Sequence, residues 1–457
     1  MRPGASYAVF VSSAAALGGF LFGFDTAIIN GTVTALRAYF QADAVQIGLA
    51  VSLALLGSAV GAFFAGQLAD RVGRVRVMLL ASVAFSMSAL GSGLPVALAD
   101  FIAWRVLGGM AVGAASVIAP AYIAEIAPAE LRGRLGTLQQ LAIVIGIFVA
   151  LLSNYLIARS AGSASSGWLL SMEGWRWMFW SELPAAVLYG LMALALPESP
   201  RFLVARGREA EATRVMARVG ASETVASIRE TVRSEQRPRL GDLRGGRAYI
   251  LGIVWIGIGL SVLQQFVGIN VIFYYSSVLW ASVGFSEGSA LWITVLTGAT
   301  NVVTTLIAIA TVDRFGRKPL LLIGSIGMLL TLGTMAVIFG QAPVGPNGNP
   351  VLGSGSGLAA TIAANVYVFC FGFSWGPVTW VLLGEMFNNR IRGAALSVAA
   401  SAQWVANFLV STTFPKLLDS IGLGASYGIY TFWALVSFFF VWRYIPETKG
   451  KTLEQMK

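Results

Sequence analysis

The sequence contains no histidine, one cysteine and few charged residues of either sign. Because Cys370 is the only cysteine, the chain cannot form a disulfide within itself. A structural zinc site needs several cysteine or histidine ligands, so we expect no metal ion. The nucleophile–base spacings of enzymes and the Gly-rich loop that binds ATP are also missing from the sequence, which predicts no catalytic residue and no cofactor.

Charged residues make up 11% of the 457 residues, whereas hydrophobic residues make up 56%. In a soluble protein about a quarter of the residues are charged. The composition therefore excludes an ordinary soluble protein and predicts a chain that crosses a lipid bilayer many times. The first residues lead into an apolar segment without a later small-residue cleavage site, so we expect no cleaved signal peptide.

Charged residues separate twelve apolar stretches, each long enough to cross a bilayer as a helix of about 20 residues. The sequence thus predicts an all-α membrane protein with twelve transmembrane helices. The predicted spans are 8–30, 45–69, 77–95, 98–124, 135–158, 175–196, 248–280, 288–312, 319–340, 357–386, 393–416 and 426–445.

The formal charge of +10 is distributed unevenly along the chain. If both termini are cytoplasmic, 26 of the 31 Lys and Arg residues fall in cytoplasmic segments. This bias is typical of the cytoplasmic side of membrane proteins. It predicts that both termini are cytoplasmic, and it explains the positive charge without nucleic acid.

One long polar segment, 197–247, divides the spans into two sets of six. Within it, 206–218 and 223–236 have the pattern of amphipathic helices. The predicted domains are an N-terminal bundle at 1–197, a cytoplasmic helical linker at 198–247, a C-terminal bundle at 248–446 and a cytoplasmic tail at 447–457.

Matching features in the two halves recur at offsets of 243, 260 and 249 residues. They are the Asp-Arg-x-Gly-Arg motifs at 70–74 and 313–317, the Glu–Arg pairs 125/132 and 385/392, and the Pro-Glu-Ser and Pro-Glu-Thr motifs at 197–199 and 446–448. A near-constant offset indicates a duplicated six-helix unit. In membrane proteins such a repeat is typical of alternating access around a site between the halves.

Two adjacent amides interrupt the apolar run of span seven. Gln264 and Gln265 are followed by Asn270, which a continuous helix would place about 140° around the axis from Gln265. Polar side chains at this depth face a protein interior or a watery cavity, because hydrocarbon offers them no partner. Amides that line a cavity can bind hydroxyl groups, and the alternative is that they join helices to one another.

The motifs together resemble the sugar porter family of the major facilitator superfamily. The likeness covers nearly the whole chain and is closest to bacterial proton-coupled monosaccharide symporters of the xylose permease type, then to facilitative glucose transporters. The residues that carry it are Gly66–Arg74, Pro197–Leu203, Gln264–Tyr275 and Pro446–Gly450.

The resemblance implies a monosaccharide site formed by polar and aromatic side chains within the spans. The matching positions are Gln140, Gln264, Gln265, Asn270, Asn301, Trp375 and Gln403, with Trp404 and Asn407 as further lining residues. Amides can bond sugar hydroxyls, and an indole can cover the apolar face of a sugar and donate one hydrogen bond. Ile147 replaces a second span-five glutamine of the xylose permease, which favours a hexose such as glucose over xylose.

Two charged residues lie deep in predicted spans one and four. Counted from the span ends at about 1.5 Å per residue, Asp25 and Arg105 both fall in the outer half of the bilayer, so they can pair. The pair is either a static ion pair or a proton switch. In the resembled family, Asp in the Gly-Phe-Asp-Thr motif marks symporters. Glu182 lies at a similar depth and is a candidate to tune or relay the proton.

The repeated charged motifs predict a cytoplasmic gate, in which ion pairs between the halves hold the inner side shut. The alternative is a solvated basic surface that serves topology alone. The gate residues are Asp70, Arg71, Arg74, Glu125 and Arg132 in the first half, and Asp313, Arg314, Arg317, Glu385 and Arg392 in the second.

The sequence therefore predicts proton-coupled symport of a monosaccharide, with the sugar, a proton and the lipid bilayer as partners and a monomer as the expected state. Two alternatives remain open. The same fold can serve a facilitative uniporter that uses no proton, or a sugar sensor that does not transport. Asp25 favours the symporter, and the short segment after Glu447 argues against a signalling tail.

Overall fold

The computed structural model describes residues 5–128, 131–220, 225–234, 243, 251–343, 351–387 and 391–447. At residues 5, 132–134, 231–234, 312–314, 384 and 392–393 the description covers the backbone alone. Residues 448–457 of the predicted cytoplasmic tail lie outside the described residues. The described parts of the chain form α-helices and short 3-10 turns, with one isolated β-bridge between Gly167 and Glu173.

Eight α-helices precede the polar segment, because the first half of the chain consists almost entirely of apolar runs. They are α1 (Ala5–Ile28), α2 (Val33–Phe40), α3 (Ala44–Val72), α4 (Arg74–Gly93), α5 (Leu98–Ile126), α6 (Arg132–Ala161), α7 (Gly174–Trp180) and α8 (Leu183–Ala195). A 3-10 turn at Ile29–Gly31 separates α1 from α2.

Ten more helices follow in the described part of the chain. They are α9 (Pro200–Ala205), α10 (Glu209–Val219), α11 (Val225–Ser234), α12 (Gly252–Phe266), α13 (Ile269–Ser282), α14 (Glu287–Phe315), α15 (Arg317–Gly340), α16 (Ser354–Phe373), α17 (Trp375–Met386) and α18 (Arg392–Tyr444).

Eleven helical segments of the described residues are long and apolar enough to cross a membrane. The last of them has 51 residues, whereas one crossing needs about 20. Gly422, with φ 77° and ψ 172°, interrupts this segment, so it contains two spans. The twelve predicted transmembrane helices are thereby confirmed. Spans six, seven and ten each consist of two helices joined at a break.

The predicted cytoplasmic helices are also present. The first is α10, whose apolar face is buried through Ala212, Val215 and Met216. The guanidinium of Arg218 lies 4.5 Å from the centroid of the Tyr7 ring, which attaches α10 to the start of α1. The second predicted helix corresponds to α11, and α9 precedes both.

The chain divides into two compact units. The first contains residues 1–28, 53–150 and 176–237. In it, α3 and α5 approach so closely that side chains would collide at the contact. An ideal Cβ on Gly61 would lie 2.1 Å from the carbonyl oxygen of Met110, and one on Gly113 would lie 2.0 Å from that of Ser58. Small residues therefore determine this helix contact, as they often do in membranes.

The second unit contains residues 29–52, 151–175 and 238–457. It includes the residues that follow α1, the first part of α3 and the last part of α6, together with α12–α18. Thr412 donates to the Ser52 hydroxyl at 2.6 Å, and the backbone N–H of Ala164 donates to Glu287 at 2.8 Å. These bonds attach segments of the first half of the sequence to helices of the second. The predicted domain boundaries follow the sequence repeat and stay a prediction.

Gly61→Ala should destabilise the first unit, because overpacking a close contact costs about 1–3 kcal/mol. The measurement is the thermal unfolding midpoint of purified protein in detergent, which should fall. Gly66→Ala in the same helix is the control, since a Cβ there meets nothing within 4 Å. Equal midpoints for the two variants would contradict the proposed role of the close contact.

Candidate functional site

Span seven is broken at the point where its polar residues lie. Helix α12 ends at Phe266, α13 begins at Ile269, and Gly268 between them has a φ of 83° that favours glycine. The continuous helix assumed from the sequence is therefore wrong, and so is the separation of about 140° between Gln265 and Asn270. The Nδ2 of Asn270 donates to Oε1 of Gln265 at 2.5 Å, because the break changes the direction of α13.

Three amides form a connected series from this break to span ten. The Nε2 of Gln265 donates to Oε1 of Gln264 at 3.2 Å. The Nε2 of Gln264 donates to the carbonyl oxygens of Trp375 at 2.8 Å and Gly376 at 3.3 Å. Both glutamines are buried, and Asn270 is half-buried. Asn270 is therefore the most accessible of the three amides, and its side chain can meet a hydroxyl group of a ligand.

The two predicted aromatic residues differ in their surroundings. Trp375 is fully buried at the start of α17, and its indole N–H donates to the Ser325 hydroxyl at 2.9 Å and to the Leu321 carbonyl at 3.1 Å. The indole is therefore engaged by α15, which differs from the expected role as a donor to a ligand. Trp404 is half-buried in α18.

Three further predicted amides come from α14 and α18. Asn301 and Asn407 are buried, and Asn407 donates to the Tyr274 hydroxyl at 3.4 Å while accepting from Ser411 at 3.1 Å. The Oε1 of Gln403 is buried without a hydrogen-bond partner among the described residues. An unpaired buried amide oxygen is costly, so Gln403 has capacity for a ligand or water.

Gln140 lies in α6 of the first unit and is half-buried. Its neighbour Gln139 is buried, and neither of its amide atoms has a partner in the described part of the chain. An ideal Cβ on Gly19 would lie 2.8 Å from the Gln139 amide, so this glycine makes room for it. The sequence prediction missed Gln139, although Gln139 and Gln140 are two adjacent glutamines, as Gln264 and Gln265 are.

The first unit also holds the predicted intramembrane charges. Asp25, Arg105 and Glu182 are all buried. The NH1 of Arg105 donates to Oδ1 of Asp25 at 2.7 Å, and its NH2 donates to the Asp25 carbonyl oxygen at 3.0 Å. The guanidinium also lies 5.6 Å from the centroid of the Phe179 ring. Arg105 is therefore held by charge, hydrogen bonds and an aromatic face.

Glu182 lies at the break between α7 and α8 and is fully buried. Neither carboxylate oxygen has a hydrogen-bond partner among the described residues, although Asp25 and Arg105 both interact with Glu182 electrostatically. The cluster thus sets two carboxyl groups against one guanidinium. Binding or release of one proton changes the net charge of this cluster. The free-energy cost is lower than for a single isolated charge in the same surroundings, because opposite charges are already present.

A network of charges in the first unit lies where α3 ends and α4 begins. Arg74 pairs with Glu125 at 3.0 Å and with Asp70 at 3.1 Å. The carboxylate of Glu198 accepts from the backbone N–H groups of Arg74 at 3.0 Å and Val75 at 3.3 Å. Glu198 therefore satisfies the free N–H groups at the start of α4, where a negative charge is favoured.

The second unit repeats this arrangement. Arg317 makes two bonds to Glu385, at 2.7 and 3.1 Å. Glu447 accepts from the backbone N–H groups of Arg317 and Lys318, both at 3.1 Å, at the start of α15. The sequence treated Glu198 and Glu447 only as markers of the repeat, and their capping role was missed because their partners are distant in sequence.

The remaining predicted gate residues are only partly described. The side chains of Arg132, Asp313, Arg314 and Arg392 lie outside the described residues. Arg71 is exposed, and its carbonyl oxygen accepts from Arg206. The ion pairs within each unit account for the charged residues of the motif in that unit. The role of these residues as a gate stays a prediction.

A buried connection around Asn30 in the second unit was not indicated by the sequence. The Nδ2 of Asn30, just beyond α1, donates to the Phe273 carbonyl at 2.9 Å and to the Ser276 hydroxyl at 3.0 Å. Ser277 bonds Asn30 in return, through its backbone N–H at 3.3 Å and through its hydroxyl. Asn30 therefore attaches the C-terminal end of span one to α13.

The family description "Sugar (and other) transporter" matches residues 11–457. The chain belongs to this family. The predicted family resemblance is thereby confirmed, and the family is one of transporters.

Relatives of the transporter are similar over nearly their full length. The glucose transport protein of a Synechocystis strain is 62% identical over 454 residues, covering 98% of this chain and 97% of that protein. The D-xylose-proton symporter of Escherichia coli is 39% identical over 488 residues, covering 99% and 95%.

Solved structures agree with the fold. The xylose transporter XylE from E. coli in an inward open conformation matches with a TM-score of 0.83 and 37% identity, covering 98% of both chains. The proton:xylose symporter XylE bound to 6-bromo-6-deoxy-D-glucose matches with a TM-score of 0.78 and 37% identity, covering 99% of both. These matches confirm the twelve-helix major facilitator fold of the transporter.

Asn30→Ala should loosen the outer end of span one, because several hydrogen bonds worth about 1 kcal/mol each are lost. The measurement is the distance between spin labels attached at Ala38→Cys and Ser420→Cys, in a Cys370→Ala background. The population with the longer distance should grow about fivefold or more.

Thr32→Val provides the matched control, since the Thr32 hydroxyl donates to the Ile29 carbonyl, three residues earlier, at 2.9 Å and not to α13 among the described residues. It should leave the distance distribution unchanged. The same distance distribution in all three proteins would show that Asn30 does not hold the end of span one against α13.

Proposed function

We propose that this protein is a proton-coupled symporter of a monosaccharide, with a hexose such as glucose favoured over xylose. The single observation that carries the proposal is the buried cluster of Asp25, Arg105 and Glu182, in which a guanidinium pairs with one of two carboxyl groups. The relatives named as a glucose transport protein and as a xylose-proton symporter support it.

The proposed sugar ligands are the side chains that carry hydrogen-bonding groups inside the spans. They are Gln140, Gln264, Gln265, Asn270, Asn301, Gln403 and Asn407, with Trp375 and Trp404 as aromatic lining. The connected amides support this role, because such groups are preorganised donors and acceptors for hydroxyls. The unpaired Oε1 of Gln403 supports it as well.

The preference for a hexose rests on Ile147. This half-buried side chain of α6 can neither donate nor accept a hydrogen bond, so it offers an apolar contact where a glutamine would demand a hydroxyl. A larger sugar with an additional CH₂OH group suits such a surface. The glucose name of the relative with 62% identity is consistent with this preference.

The proposed coupling step uses the carboxyl groups of the first unit. When a proton binds at Asp25, its ion pair with Arg105 weakens, because the attraction between opposite charges is lost. The guanidinium is then free to change partners, and Glu182 is the carboxyl group near it. Such a change of partners gives two arrangements of similar energy, which a conformational cycle requires.

The charged cytoplasmic residues are proposed to control the inner opening. Glu198 and Glu447 add to the ten residues of the predicted gate, since each fixes the start of a helix beside an Arg–Glu pair. The protein is proposed to lie in the inner membrane as a monomer, with both termini cytoplasmic and with the domain boundaries near 197 and 248.

The test of the function is uptake of labelled glucose and xylose into vesicles, with and without a pH gradient. Accumulation of glucose above its outside concentration only in the presence of the gradient is the expected result. Equilibration without accumulation would instead identify a facilitative uniporter, and specific binding without uptake would identify a sensor.

Asp25→Asn keeps the size of the side chain but removes its titration. Sugar binding and exchange of labelled for unlabelled sugar should survive, whereas accumulation driven by the pH gradient should be lost. Sugar affinity should depend on pH in the unmodified protein, because coupling is reciprocal, and this dependence should flatten in the variant.

Asp43→Asn is the control for this variant, since Asp43 is exposed at the start of α3. It should accumulate sugar normally. If Asp25→Asn still accumulates sugar while Glu182→Gln does not, the proton site is Glu182 and Asp25 is its structural neighbour.

Gln265→Ala removes the central member of the amide series. The dissociation constant for sugar should rise about fivefold or more, since an unsatisfied hydrogen-bond partner costs about 1–3 kcal/mol. The measurement is equilibrium binding of labelled glucose to purified protein. Gln341→Ala, at an exposed glutamine after α15, should bind as the unmodified protein does. Equal affinities would remove Gln265 from the site.

A further inference from the structure

Because span seven is broken, one backbone carbonyl oxygen does not receive a hydrogen bond from its own helix. In a continuous helix the N–H of Val271 would donate to the carbonyl of Val267. In this structure it donates to the carbonyl of Gly268 at 3.1 Å. An unsatisfied carbonyl within a membrane is costly, so the break requires a partner from elsewhere in the protein.

That partner is Tyr367 of α16. Its hydroxyl donates to the carbonyl oxygen of Val267 at 2.7 Å, and the whole side chain is inaccessible to solvent. Tyr367 lies 100 residues from Val267 in the sequence. A hydroxyl of span ten therefore replaces the hydrogen bond that span seven gives up.

Tyr430 of α18 restricts the space around the same break. An ideal Cβ on Gly268 would lie 2.8–3.0 Å from three carbons of the Tyr430 ring. The ring thus lies directly on the backbone of the break, and it leaves room for glycine alone. Because Gly268 also has a positive φ, both the conformation and the contact exclude a side chain there.

We propose that Tyr367 and Tyr430 are positioning residues for substrate binding. They hold the peptide at Val267–Gly268, and this peptide sets the direction of α13 and so places Asn270 against Gln265. Neither tyrosine is required to touch the sugar. The inference rests on the proposed function only in that Asn270 is taken as a sugar ligand.

A neighbouring tyrosine provides a matched control. Tyr427 is as buried as Tyr367, and its ring centroid lies 6.0 Å from that of Tyr430. The Tyr427 hydroxyl has no hydrogen-bond partner among the described residues. Tyr427→Phe therefore removes a buried hydroxyl from the same cluster without releasing the carbonyl of Val267.

The experiment measures glucose binding to the full-length purified protein, together with its thermal unfolding midpoint. Tyr367→Phe should raise the dissociation constant for glucose about three- to tenfold, because the loss of one hydrogen bond to Val267 should displace Asn270. Tyr427→Phe should leave binding unchanged. Equal binding by the two variants would overturn the proposal.

A double-mutant cycle with Asn270→Ala separates positioning from a general loss of stability. If Tyr367 acts through Asn270, Tyr367→Phe should have little further effect in the Asn270→Ala background. Independent, additive effects would overturn the proposal while leaving the sugar site intact. If Asn270→Ala alone does not weaken binding, the assignment of Asn270 as a sugar ligand fails, and this inference fails with it.

Gly268→Ala tests the same break from the backbone and keeps both tyrosine hydroxyls. It should weaken glucose binding at least as much as Tyr367→Phe, because the added methyl group meets the Tyr430 ring. Normal binding by Gly268→Ala would show that the geometry of the break does not matter to the substrate.

Discussion

Hydrocarbon offers no hydrogen bonds, so each polar group within a span has to find its partner in the protein, in water or in a ligand. This constraint accounts for the arrangement of the buried polar residues described above. The carbonyl of Val267 accepts from Tyr367, the indole of Trp375 donates to α15, and Asn30 bonds the backbone of α13. In span seven, the helix breaks where such a partner is supplied.

The polar atoms that lack a protein partner are correspondingly informative. Some of those in the described part of the chain lie at or beside residues proposed to bind sugar or a proton: both amide atoms of Gln139, the carboxylate oxygens of Glu182 and the Oε1 of Gln403 are buried and unpaired. Others, such as the Tyr427 hydroxyl, lie outside these sites. A transporter has to leave such groups unpaired for part of its cycle, because a fully satisfied interior would offer its substrate no favourable exchange of hydrogen bonds.

The sequence predicted those features that depend on composition and on helical spacing. The twelve spans, the amphipathic α10 and the pairing of Asp25 with Arg105 all follow from counting residues along helices. The break at Gly268 did not follow, since a glycine in an apolar run is compatible with a continuous span. The partners of Asn30 and Glu198 are more than 100 residues away in the chain, so no local pattern indicates them.

The glutamates that cap α4 and α15 determine where each six-helix repeat ends. Glu198 lies three residues beyond Ala195, the last residue of α8, yet it completes the start of α4, and Ser199 bonds Glu125. Glu447 completes α15 in the same way. Each repeat is thus closed by the residues that follow its sixth span. A half expressed separately would need to extend past these glutamates, because a cut before them would leave an internal helix without its cap.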